Sequence, residues 1–93
     1  MSFINVMKNN SYRSDLPVVN PNGGTFKCDN LPNGVVMNQN TGMIVIFKMN
    51  ETYKVSNLYK VNTKIPDNGA YILIINYTVN QQTSTTKLFL NIV

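Results

Sequence analysis

Ile65-Pro66-Asp67-Asn68-Gly69-Ala70-Tyr71-Ile72-Leu73-Ile74-Ile75-Asn76-Tyr77-Thr78-Val79 is a turn followed by the longest apolar run in the chain. Pro66, Asn68 and Gly69 punctuate the backbone. From Tyr71 on, every odd position is apolar or aromatic, while the even positions drift from Ile72 and Ile74 to Asn76 and Thr78. A period of two with apolar residues on both faces at its start describes a strand buried on one side throughout and on both sides near its beginning. The rest of the chain is expected to pack against it.

Working outward, the C-terminal stretch Thr85-Thr86-Lys87-Leu88-Phe89-Leu90-Asn91-Ile92-Val93 alternates in the same way. It reads as a hairpin partner, returning after a turn over 80–84, with Leu88, Leu90 and Ile92 pointing inward. Upstream, residues 53–65 also alternate: Tyr53, Val55, Tyr59, Val61 and Ile65 form one face, and Lys54, Lys60 and Lys64 line the other. That pattern predicts a single strand with the odd face inward. Asn40-Thr41-Gly42 supplies residues that tolerate left-handed backbone, so a tight hairpin turn is expected there, with strands starting near Val36 and Met43. Between Met43 and Met49 only Lys48 is charged, which predicts burial on both faces or contact with another protein. Thr25 to Asp29 alternates weakly, and Leu16-Pro17-Val18-Val19 reads as a short first strand. Phe3-Ile4-Asn5-Val6-Met7 is apolar and reads as an edge strand or a docking arm. The division is thus 1–16, an N-terminal arm or edge strand, and 17–93, the packed body.

Ninety-three residues form one domain, which buries about 60–65% of its unfolded surface. Sixteen asparagines favour turns over helix interiors, and Val, Ile, Tyr, Phe and Thr favour strands. The net charge of +4 permits an acidic partner without demanding one. No run of eighteen apolar residues exists, and Met1 to Tyr12 has no apolar signal-peptide core. The expectation is a protein made and used inside a cell, or assembled there into a particle, with no membrane partner.

The turn chemistry carries a resemblance. Leu31-Pro32-Asn33-Gly34-Val35-Val36-Met37 followed by Asn38-Gln39-Asn40-Thr41-Gly42-Met43-Ile44 resembles the signature of immunoglobulin-like (cadherin-like) modules of bacterial and phage surface proteins. Gly69-Ala70-Tyr71-Ile72-Leu73 and the Thr-rich final stretch stand where those modules carry their last two strands, so the resemblance spans roughly residues 17–93. Ile46-Phe47-Lys48 departs from the Gly-Thr-Pro that often follows. Asp67, Gly69 and Tyr71 resemble the tyrosine corner, in which the Tyr hydroxyl bonds backbone upstream. The resemblance implies an all-β, immunoglobulin-like antiparallel β-sandwich of about seven strands. Cys28 is alone, so no intrachain disulfide forms, and Phe26 and Leu31 beside it suggest a buried thiol.

Chemistry is sparse. There is no histidine, which removes the commonest general base and metal ligand. Asp15, Asp29, Glu51 and Asp67 are scattered, and Gly23-Gly24 lacks the flanks of a phosphate loop. No catalytic, cofactor-binding or metal residue is expected. Asn9, Asn50 and Asn76 begin Asn-x-Ser/Thr triplets, read as chance in an Asn-rich chain. The lysines read as a solvated face with Tyr53 and Tyr59 turned away from them, so nucleic acid is not an expected partner. The leading expectation is a non-enzymatic auxiliary (decoration) protein on the outside of a phage or viral capsid, located in the virion and assembled in the host cytoplasm. Its partners are then the major capsid protein or other virion subunits, with self-association as a further expectation. The candidate contact residues are Phe3, Ile4, Val6, Met7, Ile44 and Ile46. An adhesion or carbohydrate-binding module of a fibre or surface protein is the alternative.

Overall fold

Alternation around Leu73 produces a long strand, and the chain turns straight back on it. In the computed structural model, which describes residues 2–93, β8 (Gly69–Val79) and β9 (Gln82–Ile92) pair antiparallel over eleven rungs. The turn is two residues, with Asn80 at φ 51° and Gln81 at φ 65°. Positive φ at both positions matches the right-handed twist of the flanking strands. The connection is therefore shorter than the 80–84 turn expected, and β9 begins at Gln82.

The chain is all-β, with no helix among the described residues. Among the described residues nine strands form three sheets. The first has the order β1-β9-β8-β3, where β1 is Ser2–Val6 and β3 is Thr25–Cys28. The second has the order β2-β5-β4, with β2 Tyr12–Arg13, β4 Val35–Met37 and β5 Ile44–Ile46. The third is a hairpin of β6 (Thr52–Val55) and β7 (Leu58–Val61). The first two sheets share one apolar cluster. Val6, Leu73, Leu88, Leu90 and Ile92 come from the first, and Val35, Ile44 and Ile46 from the second. Leu73 sits at its centre with no exposed surface.

The β4–β5 hairpin forms where expected. Asn38 Oδ1 accepts the N–H groups of Asn40 and Thr41 at 2.8 and 2.9 Å, and Gly42 takes φ 76°. A Cβ on Gly42 would stand 2.7 Å from Pro17 Cγ and 2.9 Å from the Phe26 ring, so this turn also needs glycine for space. Two further side chains hold the first sheet together. Where β3 stops at Cys28, Asn30 continues its work: Nδ2 donates to Ile72 O at 2.7 Å and Oδ1 accepts Ile74 N–H at 3.1 Å. At the other end the Tyr77 hydroxyl donates to Pro21 O at 2.7 Å and accepts Gly24 N–H at 3.0 Å.

Three expectations are corrected and one open alternative is decided. β1 pairs parallel with β9, so the strands are mixed in direction rather than all antiparallel. Of arm and edge strand, residues Ser2–Val6 are the edge strand, within the body rather than apart from it. Leu16 to Val19 is no strand: Pro17 lacks an N–H to donate, Leu16 is exposed, and Val18 is 99% exposed. Cys28 is half-buried rather than buried, its thiol donating to Asn30 Oδ1 at 3.1 Å.

Because Leu73 fills the centre of the cluster, Leu73→Ala is expected to cost about 3–4 kcal/mol, read by urea denaturation. At the β8–β9 turn, Gln81→Gly removes a side chain from left-handed backbone. It is expected to raise the melting temperature by about 2–5 °C.

Candidate interaction surface

The stretch expected as one long strand is broken by Ser56-Asn57, with Ser56 at φ 56°. A two-residue turn pairs Val55 with Leu58 and Lys54 with Tyr59. Even-numbered residues of β7 therefore join odd-numbered residues of β6 on one face. Lys54 and Tyr59 share the other face, with the ammonium 5.6 Å from the ring centroid. The premise that the lysines and tyrosines point apart fails here, because the odd positions do not form one inward face.

The hairpin is firmly mounted at its base. Asn62 is buried, and its amide donates to the carbonyls of Phe47, Lys48 and Lys64 at 2.8–3.0 Å. Its own backbone bonds across to Asn50 and Glu51. Glu51 Oε1 accepts Lys48 N–H at 3.0 Å, and Asn9 Oδ1 accepts Met49 N–H at 2.7 Å. Phe47 and Tyr53 stack with centroids 4.4 Å apart at 12°. Beyond this base the blade is bare. Val55, Leu58, Tyr59 and Val61 are 46%, 68%, 73% and 55% exposed. Isolated two-stranded hairpins are marginal in water, so the base is what holds this one in place.

Charge gathers at the same place. Residues 48–64 hold four of the eight basic residues and one of the four acids. Glu51, the acid, is turned onto the backbone, and neither ion pair among the described residues, Lys8–Asp67 or Lys27–Asp29, involves these lysines.

The sequence-derived contact residues divide. Val6, Ile44 and Ile46 are at most 6% exposed and belong to the core, so they offer a partner nothing. The run from Met43 looked apolar enough to meet another protein because β5 is the middle strand of its sheet. Ile4 is half-buried, while Phe3 and Met7 are exposed. Ile4 also lines an open cleft of about 440 Å³ with Tyr12, Leu16, Pro17, Phe26 and Leu88. Burial, and the Asp15 carboxylate beside it, raise the Tyr12 phenol above its ordinary pKa. Of the corner residues, Tyr71 donates its hydroxyl to Asp67 O at 2.8 Å, and Gly69 opens β8 beside the Tyr71 ring. The Asp67 carboxylate lies 3.9 Å from Lys8 Nζ in the open, a pair worth little. No group of three or more acid, Cys or His side chains able to hold a metal occurs among the described residues.

Comparison of the chain with protein-family models, with curated proteins and with solved structures gave no match.

Alternation along the sequence puts Val55, Tyr59 and Val61 on an inward face and does not offer Leu58 as a contact, yet all four are exposed. The signal was Ser56-Asn57, a weaker turn pair than Asn-Gly and masked by unbroken alternation on both sides. The mounting predicts an asymmetry. Asn62→Ala removes the donor from three part-buried hydrogen bonds and is expected to cost about 1–3 kcal/mol in chemical denaturation, whereas Leu58→Ala at the exposed tip shifts it by less than about 0.5 kcal/mol.

Proposed function

We propose that the chain is an immunoglobulin-like sandwich that works by docking on other protein subunits, as an auxiliary protein on the outside of a phage or viral capsid. The strand order supports the fold reading. Taking β2, β3, β4, β5, β8 and β9 as second to seventh strands, the neighbours are second-fifth-fourth in one sheet and third-sixth-seventh in the other. That is the neighbour order of immunoglobulin-type sandwiches. The β6–β7 hairpin is then an insertion between the fifth and sixth strands. The Tyr71 bond to Asp67 falls at the corner into the sixth, as in a tyrosine corner.

The observation that carries the docking reading is the blade, with four large apolar side chains exposed on a base built to hold them still. Val55 and Leu58 share one face of the hairpin and Tyr59 and Val61 the other, so a partner covering one face contributes roughly 2–5 kcal/mol, much of it offset by the cost of association. One copy therefore binds weakly. Copies repeated over a shell reinforce one another, because each subunit clamped restrains its neighbours.

The test is reconstitution. Capsids stripped of this protein are expected to lose resistance to heat and osmotic shock, and added wild-type protein to restore it. Leu58→Asp, at a solvent-exposed position that leaves the fold intact, is expected to restore little. Capsids equally robust with and without the protein would refute the reading.

A further inference from the structure

The first sheet is built on two eleven-residue strands, and a short strand covers the outer edge of each only in part. β3 runs beside β8 from Ile75 to Thr78, and beyond it the Asn30 amide takes up Ile72 O and Ile74 N–H. β1 runs beside β9 from Leu88 to Ile92. From Gln82 to Thr86, no strand or side chain among the described residues takes up the outer edge of β9.

That edge has hydrogen-bonding groups to offer. The two-residue turn makes Val79 and Gln82 a bonded pair, so Gln82, Ser84 and Thr86 turn their N–H and C=O toward β8. Thr83 and Thr85 turn theirs outward. The same alternation reappears at the far end, where Val93 N–H donates to Val6 O of β1 at 2.9 Å. Nothing blunts the edge: it has no proline, no bulge and no charge before Lys87, and threonine is a good strand former.

The vacant lane opens into the cleft of about 440 Å³. Thr86 and Lys87 line it from the free stretch and its head, Ile4 and Leu88 from above, and Leu16 from the facing loop. A cavity of about 150 Å³ takes a benzene ring, so this cleft has room for two large apolar side chains. We propose that the lane takes an extended segment of a partner protein, which adds a strand to β9 beside Thr83 and Thr85 and seats apolar side chains in the cleft. Backbone bonding then supplies affinity, and the cleft supplies specificity for an apolar residue.

The cleft also selects against a second copy of this chain. Such a copy brings only its own folded edge, whose inward residues Gln82, Ser84 and Thr86 are polar and leave an apolar cleft empty. Asp15 and Lys87 both line the cleft and balance one another, while the +4 of the whole chain favours a neutral or acidic segment over a basic one. The site is separate from the blade and does not rest on the capsid reading.

Nuclear magnetic resonance titration of the full chain tests this, with a capped heptapeptide alternating threonine and leucine as the probe. The peptide is expected to shift the Thr83 and Thr85 amides and slow their hydrogen exchange, with a dissociation constant below about 1 mM. A peptide with serine in place of leucine is expected to bind at least tenfold more weakly. Thr85→Pro removes an outward N–H without touching a bond to β8, and Leu16→Asp puts a charge in the cleft wall. Each is expected to weaken binding at least tenfold with circular dichroism unchanged, whereas Leu58→Asp on the blade leaves it unaltered. Thr83 and Thr85 amides that do not respond to millimolar peptide overturn the inference. So does binding that survives both Thr85→Pro and Leu16→Asp. Protection of those amides that grows with protein concentration alone assigns the edge to a second copy and overturns it as well.

Discussion

Eleven rungs of pairing between β8 and β9 set the position of everything else. The register places Leu73 beside Leu88 and Tyr71 beside Leu90, so one face of the hairpin is continuously apolar near its open end. A one-residue slip would send that whole set to the other side. The core of this small domain rests on those side chains meeting Val35, Ile44 and Ile46 of the second sheet. Toward the turn the inward residues of β9 become Thr86, Ser84 and Gln82, all exposed, and the cluster ends. At that end β8 is held instead by β3, where buried Phe26 packs on the Tyr77 ring.

Asparagine does structural work that backbone pairing leaves undone. Asn30 completes the edge of β8 beyond the end of β3, Asn38 caps the β4–β5 turn, and Asn62 binds three carbonyls under the blade. Each side-chain amide offers the same donor and acceptor as a peptide group, without needing another strand alongside. Short strands of three or four residues can then be held in irregular surroundings. No buried side-chain nitrogen or oxygen among the described residues is left without a partner.

The two exposed surfaces differ in kind. The β6–β7 blade combines apolar and basic side chains on a hydrogen-bonded base, while the outer face of the first sheet sets Phe3, Ile72 and Phe89 among hydrogen-bonded Asn and Thr side chains and two lysines, Lys27 and Lys87. Their separation follows from topology, since β6 and β7 pair only with each other while β8 and β9 lie mid-sheet.

Alternation, turn residues and composition were enough to determine that this chain is all-β, that Leu73, Leu88, Leu90 and Ile92 face inward, and that a hairpin closes at Asn40-Thr41-Gly42. Those features are local, because a period of two and a left-handed turn residue act within a few neighbours. Tertiary structure alone decided that β1 runs parallel to β9, that Ile44 and Ile46 are core rather than contact residues, and that residues 53–65 fold back on themselves. Parallel pairing joins the two ends of the chain and leaves no local mark. Whether an apolar strand is covered depends on which sheet lies over it. A two-residue turn inside an alternating run swaps its faces without changing the pattern that a reader of the sequence sees.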